Sequence, residues 1–565
     1  MMNHELIAPY KGEIINLTIS GKEREALLRR ALTFPKIQLS FRNVCDLELL
    51  ATGAFSPLNQ FLGKEDYTRV LEEMRSSDGT LFPIPITLSV NRSPEIKLDS
   101  EITLIDQYNN ILALMRVDEV YEWDVEKEAK SVCGTTDLRH PLVAEMQSWG
   151  KCNIAGKLTV LNLPTYYDFK KYRLTPLQTR ERLKSLGNKN VVAFQTRNPL
   201  HRAHEELTKR AAEMVGGTLL LHPVVGMTQA GDIDYFVRVR TYQTLIEKYY
   251  DERKSLLSLL PLAMRMAGPR EAIWHAIIRR NFGANYMIVG RHHASPSIGD
   301  FYGEYDAHEA MQQHEEEIGV RPLLFSEYVY LQDENRYEEA NKIEEGKSYL
   351  QLSGSFLREL LNEGKEIPEW FQCSEVAEIL KEAYPPLHKK GFCVWFTGLS
   401  GAGKSTIAQV LITKLLEHGR RVTLLDGDNV RINLSKGLGF SKEDRGTNIR
   451  RIGFVASEIV KHGGAVVCAA ISPYRNIRNE CRTMIGSETF IEVFVDTPLD
   501  VCESRDMKGL YSLARQGKLT NFTGINDPYE KPVNPEIRIE TVNSTPEESA
   551  DVILDFLKTK GFIQT

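Results

Sequence analysis

The run FCVWFT, GLSGAGKS, TIAQVLITKLLEHG at residues 392–419 constrains the fold more than any other stretch of the chain. Its first part is apolar and reads as a buried strand, and its last part reads as a helix ended by Gly419. Between them Gly398, Gly403, Lys404 and Ser405 fit GxxxxGK[ST] in the strand, loop, helix order that this motif requires. Glycines let backbone amides wrap a triphosphate at a helix N-terminus, Lys404 neutralises β- and γ-oxygens, and the Ser405 hydroxyl can ligate magnesium. Gly398, Ser400, Gly401, Ala402, Gly403, Lys404, Ser405 and Thr406 are therefore the expected ATP-binding loop, with Mg2+ at Ser405. The bland alternative, a glycine-rich turn with a surface lysine, leaves the flanking strand and helix unexplained.

The sequel to this loop describes a second ligand. RVTLLDGDNVR ends an apolar strand in Asp426 and Asp428, carboxylates that can hold magnesium through water or accept a hydroxyl proton. FSKEDRGTNIRRIG adds Arg445, Asn448, Arg450 and Arg451, a natural clamp for an anion, although each arginine taken singly is more often a solvated surface residue. Ser472, in AAISPYR, stands at the end of another apolar strand. It could be a phosphorylated nucleophile, but in-line transfer needs positioning and charge neutralisation rather than covalent chemistry, so substrate contact is the preferred role.

Upstream, residues 1–175 mix short β-rich runs such as FPIPITLSV and EITLIDQYNNILALMRV with turns, which predicts a strand-rich α+β domain. Residues 176–385 alternate apolar strands with helical stretches and predict a parallel α/β sheet, with a helical end from about residue 340. Pro385, Pro386 and HKKG read as the linker to the third domain, residues 386–565. In VVAFQTRNPLHRAHEEL, Asn198 is the expected N-cap and Pro199 the expected first helical residue. His201 and His204 then share one face of the first turn beside Arg197, a site suited to stabilising charge on phosphorus and on departing pyrophosphate. Zinc is the rival reading. The pair lacks a third nearby ligand and the HExxH spacing, so no zinc is expected.

Composition excludes other classes. The 565 residues, 42% hydrophobic and 26% charged, suit a multidomain globular protein, and a net charge of −6 argues against a sequence-independent grip on nucleic acid. Eight dispersed cysteines without a CxxC pair suggest neither a disulfide scaffold nor a cysteine zinc site. With neither a signal-like N-terminus nor a long apolar run, a cytoplasmic protein without a membrane partner is expected.

LDGDNVR, LGFS, DRxxNIRRIG, ISPYR, FVDTPLDVCESRD, KGLY and FTGINDPYEKPVNPE, in that order after the phosphate loop, resemble the adenylylsulfate (APS) kinase family. The resemblance implies an acceptor nucleotide whose adenine lies between Phe440 and Phe522. It also implies acceptor contacts at Asp428, Asn429, Arg431, Arg445, Asn448, Ile471, Ser472 and Lys508. Residues 1–385 are similar to ATP sulfurylases through CDLELLATGAFSPLNQFLGKEDY, QTRNPLHRAHE, DYFVRVRTY, MAGPREAIWHAIIRRNFGA and LSGSFLRELL. By that similarity Thr196, Arg197 and Asn198 form the active-site turn, and Gln195 and Arg197 reach sulfate. His201 and His204 would stabilise the transition state, Gly290, Arg291, His292 and His293 would line ATP, and Ala294 would meet sulfate through its main chain.

One departure stands out. The family usually reads GRDHAGPG where this chain has GRHHASPS, so His292 replaces an aspartate, and Ser295 and Ser297 replace glycines whose backbone freedom is expected to shape the loop.

The implied fold is a PUA-like N-terminal domain, a Rossmann-like nucleotidylyltransferase domain and a P-loop kinase domain. The implied function is sulfate activation: ATP and sulfate give APS and diphosphate, and a second ATP phosphorylates APS to PAPS, in a homo-oligomer whose ligands are ATP, sulfate and APS. A single-activity sulfurylase with a regulatory kinase-like tail, and an APS kinase with an impaired sulfurylase, are the alternatives.

Overall fold

The computed structural model describes residues 5–229, 232–297, 299–506 and 509–564, without the side chains of Asp428 and Asn429. The chain divides into two compact units, Met1–Phe356 with Ile367–Leu380, and Leu357–Glu366 with Lys381–Thr565.

In the first unit, EITLIDQYNNILALMRV forms the antiparallel hairpin Glu101–Ile105 with Ile111–Arg116. Its turn is closed by Asp106, whose Oδ1 accepts the amides of Tyr108 and Asn110, both at 2.8 Å. This hairpin sits between Lys36–Gln38 and Leu158–Val160 in a four-stranded sheet. FPIPITLSV yields a strand only at Leu88–Val90, where it joins a second, three-stranded sheet. Proline at 83 and 85 removes the amides that a longer ladder needs.

The next part is a five-stranded parallel sheet in the order Ser255–Leu257, Thr218–Leu221, Val191–Phe194, Tyr286–Val289, Arg321–Leu324. Strand order reverses at Val191–Phe194, so the loops leaving its end and the end of Tyr286–Val289 border a crevice, where open α/β sheets place their ligands. The segment expected to be helical from about residue 340 becomes helical only from Gly354. A hairpin, Tyr328–Leu331 with Arg336–Glu339, and a short strand at Leu350–Gln351 come first, and helices occupy only Gly354–Glu363 and Ser374–Ala383.

The second unit holds another parallel sheet, ordered Val422–Asp426, Ala465–Ala469, Phe392–Thr397, Phe490–Val495, Ile537–Ile539. Phe392–Thr397 is buried along its whole length, with Phe392, Val394 and Phe396 in one core and Cys393 and Trp395 in another. A continuous apolar run is what a strand covered on both faces requires. No described helix is long and apolar enough to cross a membrane.

Candidate active sites

The phosphate loop connects Phe392–Thr397 to the helix Lys404–Glu417, with Gly403 as N-cap at φ 105°. Gly401 has φ 74°, and Gly398 lies so close to Val495 that a Cβ would sit 2.6 Å from its carbonyl oxygen, so both need to be glycine. Lys404 Nζ donates to the carbonyls of Gly398 (3.0 Å) and Leu399 (2.6 Å), and Ser405 Oγ donates to Asp426 Oδ2 at 2.7 Å. Hydroxyl and carboxylate, the oxygen donors that a hard divalent cation takes, thus meet at the first turn of that helix.

This loop forms one side of a cavity of about 730 Å³, contributed by Ser400, Gly401, Gly403, Lys404, Ser405 and Thr406, with Asp426 beside them. Gly398 and Ala402 support the loop from below, Ala402 accepting hydrogen bonds from Thr497 and Thr541. The same cavity is lined by Arg431, Phe440, Arg445, Asn448, Ile471, Ser472 and Phe522, so these residues expected at the acceptor share one space with the phosphate loop. Arg431 Cζ lies 4.3 Å from the ring centre of Phe440, while Phe522 meets Tyr511 edge-on at 4.9 Å. Arg445 is buried and bonded to Thr523 (2.9 Å), Tyr474 (2.7 Å) and Asp527 (2.8 Å), yet its Nε, like Asn448 Oδ1, has no protein partner. Two buried polar atoms left open at one cavity are where a polar ligand belongs.

Ser472 is 1% exposed, takes a left-handed φ of 46° and accepts the Trp395 indole N–H at 3.2 Å. Its backbone is held in a region that L-residues other than asparagine and aspartate seldom adopt. Asp428 and Asn429 lie on the helix Gly427–Asn433, but their side chains, and Lys508 altogether, are outside the described residues.

The sulfurylase-like turn departs from its expected start. The helix runs Arg202–Met214 with His201, not Asn198, as N-cap. The Arg202 amide, which a helix beginning at Pro199 would bond to Asn198, is donated to Phe371 O at 3.0 Å. The Asn198 carbonyl instead accepts the hydroxyls of Thr196 (2.9 Å) and Tyr242 (2.7 Å). His201 and His204 still share a face, with ring centres 3.8 Å apart and planes at 29°. Burial holds both imidazoles below their usual range, His204 at about 4 and His201 further depressed by its neighbour. Both rings are accordingly neutral near pH 7 before ligand binds, and each has a buried Nδ1 with no partner.

Arg197 bridges this turn to the loop after Tyr286–Val289. Its guanidinium pairs with Asp232 at 2.5 Å and donates to Ser295 O (3.3 Å) and Ser297 Oγ (3.2 Å). Gln229 also holds Ser297, donating to its hydroxyl and accepting its amide at 3.1 Å. Gln195 approaches Met264 Sδ at 3.6 Å. Arg291 pairs with Glu327 at 3.1 Å and lies 3.7 Å from Glu304, and His292 lies 3.8 Å from Glu304. An aspartate at 292 would face that carboxylate. The left-handed backbone of the loop falls at His292 (φ 52°) and Ala294 (φ 56°), not at the two positions where serine replaces glycine. The serines act through polar contacts to Arg197. Asp232, Gln229, Glu304 and Glu327 were not singled out by sequence: Asp232 and Glu327 lie 35 and 36 residues from their arginines, Gln229 lies 68 residues from Ser297, and no motif ties Glu304 to Arg291.

Of the histidines of this unit with lowered pKa, His140, His222, His275 and His293 are buried and His201 and His204 half-buried, whereas no described histidine of the second unit is buried. A neutral buried imidazole takes up protons only on unfolding, so its contribution is complete above about pH 6.5 and is lost as pH falls toward the folded value. For His204, lowered to about 4, the loss at pH 5 is roughly 2 kcal/mol. Calorimetry between pH 7.5 and 5 is expected to lower the melting transition of the first unit well before that of the second. Equal shifts contradict this.

Comparison with known proteins accounts for all three parts. Family models match at residues 7–163 (PUA-like domain), 170–383 (ATP-sulfurylase) and 390–540 (Adenylylsulphate kinase). A sulfate adenylyltransferase from Aspergillus oryzae is 44% identical over 98% of this chain and 99% of its own length. One from Neurospora crassa is 43% identical over the same shares. A solved structure described as a hexameric APS kinase from Thiobacillus denitrificans superposes with a TM-score of 0.81 at 33% identity, covering 99% of this chain and 100% of that one. The chain belongs to the sulfate adenylyltransferase family, as a member that joins an ATP-sulfurylase domain and an adenylylsulphate kinase domain in one polypeptide.

Proposed function

We propose that this chain carries out both steps of sulfate activation, making APS and diphosphate from ATP and sulfate and then converting APS to PAPS with a second ATP. The observation that carries the reading is the cavity that joins an intact Lys404, Ser405 and Asp426 to the open Arg445 Nε and Asn448 Oδ1. The product of the first domain is the acceptor of the second. Consuming APS draws forward a first step whose phosphosulfate product is high in energy.

At the kinase site the arginines hold the phosphosulfate and the two phenylalanines hold the purine, which presents the ribose 3′-hydroxyl to the γ-phosphate. Ser405 and Asp426 would hold the Mg2+ that comes with ATP and offsets charge on its phosphates. At the sulfurylase site sulfate attacks the α-phosphate directly, and Arg197, His201 and His204 align it and receive developing charge. Since Arg197 is already paired with Asp232 and Ser297, sulfate competes with internal partners. That observation favours a second reading, in which sulfurylation is the weaker activity. A cytoplasmic homo-oligomer fits the absence of a described membrane-spanning helix and the hexameric description of the Thiobacillus denitrificans structure.

Changing Phe440 or Phe522 to alanine tests APS as the acceptor. Each is expected to weaken APS binding at least about tenfold, since a stacked aromatic contributes on the order of 1 kcal/mol beyond its buried area, with little change in ATP affinity. Unchanged APS affinity in both variants would remove APS from this groove.

A further inference from the structure

Behind the sulfurylase loop lies a buried chain of ionisable groups that the proposed reaction does not use. The helix Gly268–Asn281 carries Glu271, His275 and Arg279 at a spacing of four, so the three stack along one side, each fully buried. Glu271 accepts the amides of Arg265 (3.0 Å) and Ala267 (2.9 Å), and its Oε1 is 3.3 Å from His275 Nε2. That nitrogen has no partner that meets hydrogen-bond geometry, so its link to Glu271 is a close electrostatic contact. On the other side of the ring, His275 Nδ1 lies 3.1 Å from Nε2 of His293, in the loop after Tyr286–Val289.

A carboxylate 3.3 Å from Nε2 favours a proton on that nitrogen over one on Nδ1. Burial pushes the Glu271 carboxyl up, but His275 and the two backbone amides it accepts hold it below its usual range, and those amides make it an ionised acceptor. His275 must then carry its proton on Nε2 and accept at Nδ1. His293 consequently carries its proton on Nε2, and its own Nδ1 is the bare nitrogen of a neutral ring. Neutral rings are what the surroundings favour: burial, His275 and Arg279 all hold His293 well below its usual range, with His308 adding to this. The Arg279 guanidinium, 3.5 Å from the carbonyls of His275 and His222, closes the other side.

We propose that Glu271 and His275 are positioning residues that lock His293 in one tautomer, so that its Nδ1 serves the sulfurylase site as a hydrogen-bond acceptor. The inference rests on reading that loop as the ATP site. It specifies which end of the nucleotide His293 meets. A bare nitrogen repels phosphate oxygens, and the donors that ATP offers at neutral pH are its ribose hydroxyls and its adenine amino group. The chain therefore governs binding of the nucleoside end rather than the stabilisation of charge on phosphorus.

The test uses the full-length chain carrying Lys404→Ala, so that the kinase site does not report. Affinity for α,β-methylene-ATP is measured by calorimetry, and initial rates of APS formation give kcat and KM for ATP. Glu271→Gln lets the amide donate to His275 and reverse the tautomer, and His275→Leu removes the acceptor. Loss of such a supporting partner costs ~10–100-fold elsewhere, and here it is expected as a rise of at least about tenfold in analogue Kd and in KM, with kcat within about threefold. His275→Asn places a carbonyl oxygen near the Nδ1 position and is expected to stay close to the parent. Should His275→Leu fail to fold, Glu271→Gln against His275→Asn decides alone. A parent-like Glu271→Gln, or equal losses in Gln, Leu and Asn variants, overturns the proposal in favour of simple packing. If the parent binds the analogue but makes no APS, the sulfurylase reading fails while the affinities still judge the relay. If it binds no analogue, both fail.

Discussion

Lys404→Ala abolishes PAPS formation and leaves APS formation from ATP and sulfate intact. The expected loss is ~10³-fold or more, because a fixed cation on the β- and γ-oxygens acts where charge builds up in transfer and its removal exceeds the cost of a single neutral donor. Lys404 Nζ rests on the carbonyls of Gly398 and Leu399, already inside the loop that its charge would serve. Lys404→Met separates charge from packing: a similar loss with an unchanged melting temperature assigns the effect to the ammonium group. Chromatography of labelled APS and PAPS reads both steps at once, and equal loss of both activities would contradict two separate sites.

His201→Ala and His204→Ala each lower sulfurylase turnover by ~10²–10³-fold while KM for ATP changes only a few-fold. The rings are stacked 3.8 Å apart and half-buried, with both Nδ1 atoms buried and unpaired, so they gain most when negative charge arrives. Their depressed pKa works the same way, since an anion that forms beside a neutral, desolvated imidazole draws protons toward it. Steady-state kinetics in both directions provides the measurement. Stoichiometric zinc in the parent that is lost from both variants would replace this account with a metal site.

These two predictions differ from that for the buried relay. Histidines 201 and 204 are expected to change kcat, and Glu271 and His275 to change nucleotide affinity. One domain thus contains two histidine pairs with separable kinetic signatures.

The sequence was most informative where chemistry is local. The phosphate loop, the strand before it and the helix after it need neighbours only a few residues apart, and they appear where the pattern predicts, down to Gly419 at φ 74° after the helix. Alternation of apolar strands with helices likewise announced two parallel sheets. The helix start near Asn198 was misread because Pro199 and an Asn cap are strong local signals, and the amide that decides the matter goes to Phe371, far along the chain. The hairpin at 328–339 was hidden by charged and aromatic residues that alternate too irregularly to separate from a helix.

The site itself was legible as a set of residues and opaque as a set of charges. Sequence placed Arg197 at the sulfate position but gave no sign that Asp232 and Ser297 hold it. It drew attention to Ser295 and Ser297 in the GRHHASPS loop, whereas the left-handed backbone lies at His292 and Ala294, and of the two serine side chains Ser297 reaches Arg197. The spacing of Glu271, His275 and Arg279 was visible, but a face of charged residues on a helix normally means solvent, and only the packing shows that this one points inward.

The central claim is that both sites of one chain are active. The purified protein given ³⁵S-sulfate, ATP, Mg2+ and pyrophosphatase, sampled over time, tests it most directly. The account predicts labelled APS first and labelled PAPS after it, with APS remaining low while ATP lasts. Label that never enters APS or PAPS, from a protein that phosphorylates added APS, would make the chain a kinase with a silent sulfurylase domain. Label that stops at APS would make the kinase domain a binding module.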